Sequence, residues 1–194
     1  MKIVIMGPPG AGKGTQAKII AERLAIPAIS TGDIFRVNVS QETELGREAK
    51  RYMDTGDYVP DELTNAMVRA RVAEADAVEG FLLDGYPRTV AQVHELDAML
   101  EERGTQLDVV LVLTVDRDEI VQRLVRRAEA EGRSDDTEDV VRHRQEVYAE
   151  QTAPLIQVYD DRGLLVQVDG MGDVDEVTGR VLEALGQTDD ATAS

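Results

Sequence analysis

The 194-residue sequence contains no cysteine, no tryptophan and only two histidines, His94 and His143. Without cysteine the chain can form neither a disulfide nor a cysteine-ligated zinc site, so no structural zinc is expected. Each histidine lies alone in a segment of helical period, which favours a surface position over a place in a catalytic site. The chemistry of the chain must therefore come from other residue types.

Long apolar runs and positive charge are also scarce. No stretch approaches the roughly 18 consecutive apolar residues of a membrane-spanning helix, and the first apolar run is too short for a signal peptide, so a cytoplasmic location is expected. The formal net charge is −17, and only four residues are lysine. This charge repels phosphate backbones and anionic lipids, which argues against nucleic acid or membrane partners. Small-molecule partners and a monomeric chain are expected.

Short apolar runs alternate with longer segments in which apolar residues recur at helical spacing. The runs predict buried strands at residues 2–6, 27–30, 81–84, 109–115 and 164–168. The helical segments are residues 17–24, 64–78, 89–103, 116–131, 136–161 and 174–185. This alternation predicts an α/β fold in which helices flank a doubly wound, five-stranded parallel sheet.

Two segments break the alternation. Residues 30–60 carry helical patterns without a clear strand, and the stretch "EAEGRSDDTED" at residues 129–139 is polar and contains glycine. Surface segments of this kind are more mobile than the elements that they join. We therefore predict that these are the mobile parts of the chain.

The stretch "MGPPGAGKGTQA" directly follows the first apolar run and precedes the first helical segment. Its pattern, Gly7-x-x-x-x-Gly12-Lys13 between a strand and a helix, is typical of a phosphate-binding loop. Glycines let main-chain N–H groups converge on phosphate oxygens, and the lysine adds a mobile positive charge. A dinucleotide fingerprint fits less well, because Thr15 stands where a third glycine is expected. Gly14 separates Lys13 from Thr15, which leaves open whether a hydroxyl contacts magnesium directly.

A second stretch, "FLLDGYPRTVAQ", ends a strand in Asp84 and continues to Arg88. An aspartate at the carboxyl end of a strand beside a phosphate-binding loop is suited to hold magnesium or its waters, and an arginine is suited to bidentate phosphate contacts. The alternative is a simple turn in which Thr89 and Gln92 form a capping box. That alternative accounts for Gln92 but not for Asp84 and Arg88.

Seven arginines and no lysine lie between Arg117 and Arg144. Arg123 and Arg127 are four residues apart, so they share one helix face. The counts alone are compatible with a solvated face paired to Glu119 and neighbouring acids. The phosphate-binding loop favours a functional reading, because phosphoryl transfer needs cations around the moving group.

The segments "GPPGAGKGT", "STGDIFR", "TGDYVPDE" and "LLDGYPRT", in this order, resemble the motifs of adenylate kinases of the short-lid form, in the nucleoside monophosphate kinase family. The resemblance covers nearly the whole chain apart from the tail. It implies a P-loop NTPase core of residues 1–29, 60–125 and 133–194, a monophosphate-binding insertion at 30–59 and a short lid at 126–132. It also implies reversible, magnesium-dependent transfer of a phosphoryl group from ATP to AMP, giving two ADP.

The resemblance also implies individual roles. For ATP it implies Gly10, Ala11, Gly12, Lys13, Gly14, Thr15, Arg123, Arg127 and Gly172. For AMP it implies Thr31, Arg36, Asp57, Val59, Gly85, Arg88, Gln92, Arg133 and Arg144. The catalytic cations would be Lys13, Arg88, Arg123, Arg133 and Arg144, and Asp84 would serve magnesium. Within the family, Gln92 favours adenine, whereas pyrimidine-specific relatives tend to have asparagine there.

The chemistry of the acceptor agrees with the scarcity of histidine. The phosphate of AMP is already ionised at neutral pH, so its oxygen can attack without a general base. Kinases that act on alcohols would need a carboxylate base, for which Asp84 or Asp33 could serve, but Asp33 is also explained by a Ser30-x-x-Asp33 helix start. A regulatory nucleotide switch would need a guanine-reading N-K-x-D segment, which does not occur.

Overall fold

The computed structural model describes residues 1–116, 119–120, 123–124 and 137–186. The strands are β1 (Lys2–Met6), β2 (Ala28–Ser30), β3 (Phe81–Asp84), β4 (Val109–Thr114) and β5 (Leu165–Asp169). They form one five-stranded sheet in the order β2-β3-β1-β4-β5, and every pairing is parallel. The predicted five-stranded parallel sheet is confirmed, with strand bounds that differ by at most one residue.

The strand order places the sheet's switch point at β1. This strand pairs with β3 on one side and β4 on the other, so that Ile5 lies opposite both Asp84 and Leu111. In open α/β sheets, ligands bind beyond the carboxyl ends of the strands where the winding direction reverses. The segments that follow Met6 and Asp84 therefore meet at the edge where a ligand is expected.

The helices within the described residues are α1 (Lys13–Arg23), α2 (Thr31–Ser40), α3 (Glu44–Met53), α4 (Asp61–Val72), α5 (Val90–Glu101), α6 (Glu138–Val147), α7 (Leu155–Asp161) and α8 (Val174–Ala184). A 3₁₀ turn spans Ala75–Ala77, and a π-helical turn spans Tyr148–Thr152. None of these helices is both long and apolar enough to cross a membrane. Residues 119–120 and 123–124 are also helical, in agreement with the helix predicted over 116–131, whereas Asp116 is not helical; the other residues of that segment lie outside the described residues.

The prediction of one continuous helix over residues 136–161 is wrong. The chain instead forms α6, the π-helical turn and then α7. Pro154 has no N–H to donate to an earlier carbonyl, so a regular helix cannot run through it. Just before it, the Ala153 N–H donates to the Tyr148 carbonyl five residues back, at 2.8 Å. The π-helical turn thus provides a main-chain hydrogen bond where Pro154 prevents the regular helical pattern.

Apolar side chains cover both faces of the sheet. Along β1, Val4 and Met6 join one buried cluster, and Ile3 and Ile5 join the other. Helices α5 and α7 pack on the first face, and α1 and α8 pack on the second. This arrangement explains why the strands are continuous apolar runs, as parallel strands buried on both faces are.

Helices α2 and α3 form a third apolar cluster, which meets the first at Met67 of α4. Phe35, Ala49 and Val59 are its buried members, and Tyr52 and Met53 pack against them partly buried. No strand occurs between residues 31 and 60, all of which are described, in agreement with the first predicted interruption. The predicted lid at 126–132 lies outside the described residues, as does most of the polar stretch at 129–139.

Candidate active site

The glycine-rich loop joins β1 to α1. Gly12 stands at the N-terminal end of α1 with φ of 88°, a left-handed conformation that favours glycine. No side chain among the described residues caps this helix, so its first N–H groups are available to an anion. Lys13 bends back along the loop, and its Nζ donates to the carbonyls of Gly7 at 2.8 Å and Pro8 at 3.0 Å. The predicted phosphate cradle therefore has the expected local geometry.

Arg123 connects this loop to the loop that follows β5. Its Nη2 donates to the Gly170 carbonyl at 3.0 Å and its Nη1 to the Ala11 carbonyl at 3.4 Å. Its Nε donates to Glu119 Oε1 at 2.9 Å. Arg123 is thus ion-paired with a residue of its own helix, as expected if these arginines formed a solvated face. It also links two loops of the site. Gly172, predicted at the ATP base, lies two residues beyond Gly170.

Asp84 lies at the carboxyl end of β3, next to the first turn of α1. Its Oδ2 is 3.5 Å from the point that a Cβ on Gly14 would occupy. Within the described ranges, no group of three or more histidine, aspartate or glutamate side chains could hold a metal ion. A single carboxylate beside a phosphate site suits Mg²⁺, which keeps several waters and takes phosphate oxygens as further ligands. The donor set therefore fits magnesium.

A cavity of about 570 Å³, open to solvent, lies between α2 and the turn that follows β3. Eight of the nine residues predicted for AMP line it: Thr31, Arg36, Asp57, Val59, Gly85, Arg88, Gln92 and Arg144. The ninth, Arg133, lies outside the described residues, as does Arg127, which was predicted for ATP. Residues far apart in the sequence thus meet around one open cleft.

A second cavity, of about 480 Å³, adjoins the first. Lys13, Arg88 and Arg144 all line it, and Arg88 and Arg144 also line the larger cavity. These cations come from the first residue of α1, the turn after β3 and helix α6. The Gln145 side chain holds α6 against the glycine-rich loop by donating to the Pro9 carbonyl at 2.8 Å. The site therefore concentrates positive charge where the two cavities meet, although the chain is strongly acidic.

Arg88 is held by two residues that the sequence analysis did not identify. Its guanidinium carbon lies 4.7 Å from the centroid of the Tyr58 ring. Its carbonyl accepts from Thr152 Oγ1 at 2.9 Å, and Thr152 also bonds the Tyr58 hydroxyl at 2.8 Å. Its Nε donates to the Gly85 carbonyl at 2.7 Å. No local pattern marks Tyr58 or Thr152, because they meet Arg88 only in the folded chain.

Gln92 is buried in the wall of the larger cavity. Thr89 caps α5 and accepts from the Gln92 N–H at 3.2 Å, which is half of the capping box considered from the sequence. The side chain does not complete the box, because Oε1 accepts instead from the Arg88 N–H at 2.7 Å. Nε2 donates to Asp61 Oδ1 at 2.6 Å. Asp61 was also missed by the sequence analysis, although the quoted segment "TGDYVPDE" contains it.

Asp57 and His143 join the segment after α3 to helix α6. His143 Nε2 and Asp57 Oδ1 are 2.7 Å apart, and Thr55 donates to Asp57 Oδ2 at 2.8 Å. The hydrogen bond to His143 lowers the pKa of Asp57, and the same bond raises the pKa of His143. The prediction of His94 and His143 as residues on helix surfaces is confirmed, but His143 makes a contact that sequence spacing does not reveal.

The predicted start of α2 is also confirmed. Ser30 precedes the helix, and its Oγ accepts from the Asp33 N–H at 3.3 Å. The Asp33 carboxylate lies 2.5 Å from Nη2 of Arg36, which lines the larger cavity. Thr31 Oγ1 donates to the Gly85 carbonyl at 3.0 Å, which connects α2 to the turn after β3.

Comparison with known proteins agrees with this geometry. The sequence profile described as adenylate kinase matches residues 5–164. An adenylate kinase from Nocardioides sp. (strain ATCC BAA-499 / JS614) is 68% identical over 185 residues, which cover 95% of this chain and 97% of the relative. Adenylate kinases from Kocuria rhizophila and Thermobifida fusca are 64% and 60% identical, over 95% of this chain and 98% of each relative. The chain therefore belongs to the adenylate kinase family and is an enzyme with adenylate kinase activity.

Proposed function

We propose that the chain catalyses reversible, magnesium-dependent transfer of the γ-phosphoryl group from ATP to AMP, which yields two ADP and balances the adenine nucleotides. The observation that carries this proposal is the cavity lined by Lys13, Arg88 and Arg144. It adjoins the larger cavity at Arg88 and Arg144. A phosphate chain from one side and an acceptor phosphate from the other can therefore meet among these cations.

ATP binds, in this proposal, with its phosphates on the glycine-rich loop. The residues that we assign to it are Gly10, Ala11, Gly12, Lys13, Gly14, Thr15, Arg123, Arg127 and Gly172. Main-chain N–H groups and the positive end of α1 stabilise phosphate oxygens. The contacts of Arg123 with the Ala11 and Gly170 carbonyls support its place between the phosphates and the base.

AMP occupies the larger cavity. We assign to it the residues predicted from the sequence, which are Thr31, Arg36, Asp57, Val59, Gly85, Arg88, Gln92, Arg133 and Arg144. Val59 is buried and gives adenine an apolar surface, and Gln92 hydrogen-bonds the base edge. Arg88 and Arg144 lie where the phosphate of AMP would face the second cavity.

The transfer needs alignment and positive charge rather than a general base. The AMP phosphate is ionised at neutral pH, so an oxygen attacks the γ-phosphorus directly when the two are held in line. The residues that we assign to dispersing the charge of the moving group are Lys13, Arg88, Arg123, Arg133 and Arg144. Fixed cations in a site that excludes water stabilise such charge more strongly than water does.

Asp84 is the residue that we assign to magnesium. Its position beside Gly14 supports a contact with the ion or with its waters. When bound, the ion supplies charge neutralisation at the phosphates. Thr15, which is exposed on α1, is the second candidate for a contact, either direct or through water.

We further propose that the core of residues 1–29, 60–125 and 133–194 carries two closing segments, the insertion at 30–59 and the lid at 126–132. The apolar cluster of α2 and α3, which meets the core cluster at Met67 of α4, supports an insertion that can move as a unit. Closure excludes water, so the enzyme transfers the phosphoryl group to AMP rather than to water.

The test is a coupled assay of ADP formation from ATP and magnesium with AMP, CMP, UMP or GMP as the acceptor. We expect rapid ADP formation with AMP, slow formation with the other acceptors, and little ATP hydrolysis when no monophosphate is present. Equal activity with CMP or UMP would contradict the assignment of Gln92 to adenine. Substantial ATP hydrolysis without AMP would contradict the proposed closure.

A further inference from the structure

The side-chain amide of Gln92 is hydrogen-bonded at both its oxygen and its nitrogen. Its Oε1 accepts from the Arg88 main-chain N–H at 2.7 Å, and its Nε2 donates to Asp61 Oδ1 at 2.6 Å. Asp61, the first residue of α4, is itself fixed, because its Oδ2 accepts from Thr89 Oγ1 at 2.8 Å. Gln92 is only 1% exposed, yet it lines the larger cavity. The amide therefore has a defined position in the wall of the proposed AMP site.

The chemistry of the two partners defines which end of the amide lies where. A main-chain N–H can only donate, and an ionised carboxylate can only accept. If the amide turned over, its NH₂ group would face the Arg88 N–H, and its oxygen would face the Asp61 carboxylate. Both hydrogen bonds would be lost at a buried position where water cannot replace them. The turned-over orientation is therefore strongly disfavoured while Asp61 is present.

The amide keeps hydrogen-bonding capacity for a ligand. A glutamine amide has two N–H hydrogens and two oxygen lone pairs, and the contacts with Asp61 and Arg88 use one of each. One donor and one acceptor remain, in a fixed order. Adenine offers an acceptor at N1 and a donor at its 6-amino group, which match one order. A 6-keto purine such as hypoxanthine offers a donor at N1 and an acceptor at O6, which match the opposite order.

We propose that Asp61 is a positioning residue that sets the preference of the enzyme for a 6-amino purine monophosphate over a 6-keto one. It does so without touching the base, by holding the Gln92 amide in the orientation that complements adenine. The proposal rests on the proposed function, since it requires AMP in the cavity that Gln92 lines. It adds a residue for base specificity that lies outside that cavity's lining.

The test compares AMP with inosine monophosphate as acceptors, since the two differ at N1 and at the 6-position. In Asp61→Asn the side chain keeps its shape but can both donate and accept, so only the Arg88 N–H still opposes the turned-over amide. We expect the ratio of kcat/KM for AMP to kcat/KM for inosine monophosphate to fall about tenfold, the scale of one hydrogen bond to a charged group. The KM for ATP should stay unchanged. A ratio within about threefold of that of the unaltered chain would overturn the proposal.

The matched control is Glu62→Gln, which makes the same chemical change at the exposed neighbouring residue of α4. It should leave the ratio unchanged, and a fall as large as that of Asp61→Asn would overturn the proposal by indicating a general charge effect. Failure of the proposed function gives a different result, because the unaltered chain would then not form ADP from ATP and AMP, or would not prefer AMP to inosine monophosphate.

A measurement on the unaltered chain keeps the proposal testable if Asp61→Asn does not fold. The side-chain amide signals of Gln92 can be assigned in an NMR spectrum by their loss in Gln92→Leu. We expect one Nε2 proton to be shifted downfield and to exchange slowly with water, since it is bonded to a carboxylate in a buried position. Signals typical of a solvent-exposed glutamine would overturn the proposal.

Discussion

The guanidinium carbon of Arg88 lies 4.7 Å from the centroid of the Tyr58 ring. Tyr58 belongs to the segment between α3 and α4, whereas Arg88 belongs to the turn after β3. Both residues line both cavities. The ring face attracts the cation and restricts its position at the boundary where the acceptor phosphate is proposed to lie.

Two substitutions of Tyr58 should distinguish the contribution of its aromatic ring from that of its hydroxyl. Tyr58→Leu removes the ring face, and we expect the KM for AMP to rise about fivefold, the scale of a cation–π contact, while the KM for ATP changes little. Tyr58→Phe keeps the ring and loses only the hydrogen bond to Thr152, so it should stay close to the unaltered enzyme. Steady-state kinetics with each nucleotide varied checks both. Equal damage by the two variants would assign the effect to the hydroxyl instead.

Gln92→Leu should impair AMP binding far more than ATP binding. The variant loses its hydrogen bonds to adenine, and it also leaves the Arg88 N–H and the Asp61 carboxylate without their buried partner. We expect the KM for AMP to rise about 100-fold, since several hydrogen bonds are lost together. The KM for ATP, measured at saturating AMP, is the internal control. A comparable rise in both KM values would contradict the assignment of Gln92 to AMP.

The ion pair of His143 with Asp57 predicts a pH-dependent contribution to stability. The raised pKa of His143 means that its contribution is present below the ordinary value of 6.5 and is lost as the pH rises through the raised value. The lowered pKa of Asp57 means that its contribution is present above the ordinary value of 3.8 and is lost as the pH falls through the lowered value. The pair should therefore stabilise the fold most between pH 3.8 and pH 6.5.

His143→Gln tests this window. The difference in Tm between the unaltered chain and the variant should be largest at mildly acidic pH and should shrink at alkaline pH. Because the pair is half exposed, the difference should be small and should also decrease with added salt. His94→Gln, which makes the same chemical change at an exposed histidine on α5, is the matched control. A difference that grows as the pH rises would refute the expected sign.

Gly46 lies at a close contact between α2 and α3. A Cβ on Gly46 would stand 2.0 Å from the Asn38 carbonyl oxygen, so the main chains must separate in Gly46→Ala. We expect the free energy of unfolding to fall by about 2 kcal/mol, a typical cost of overpacking. The KM for AMP should rise, since α2 carries Thr31 and Arg36.

Gly179→Ala on α8 is the opposite case. Among the described residues, no atom beyond its chain neighbours and the backbone of its own helix lies within 4 Å of its added Cβ, so the variant should gain about 1 kcal/mol of stability from helix propensity alone. Chemical denaturation of both glycine variants gives the comparison. A Gly46→Ala protein as stable as the unaltered chain would contradict the described packing of α2 against α3.

The sequence predicts the sheet well because the three central strands, β1, β3 and β4, are mostly buried and form continuous apolar runs. It predicts the phosphate-binding loop because that chemistry is local, with glycines, a lysine and a helix start within a few residues. It predicts the helix over residues 136–161 less well. Helical spacing continues through Pro154, and only the missing N–H shows that the helix must break there.

The supporting residues of the site could not be predicted from spacing. Asp61 lies 31 positions before Gln92, and Tyr58 lies 94 positions before Thr152. Such pairs meet only after the sheet has brought their segments together. The roles of Gln92 and Arg144 are implied only by the family resemblance. From the sequence alone, Gln92 is equally consistent with a capping box, and Arg144 is equally consistent with a solvated helix face.

The central claim is that both nucleotides occupy the joined cavities together and that the phosphoryl group passes directly between them. The most direct test is the initial rate of ADP formation while ATP and AMP are both varied. We expect double-reciprocal lines that intersect, because both nucleotides must be bound before transfer. Parallel lines would contradict it, since they indicate that ATP leaves its phosphoryl group on the protein and departs as ADP before AMP binds.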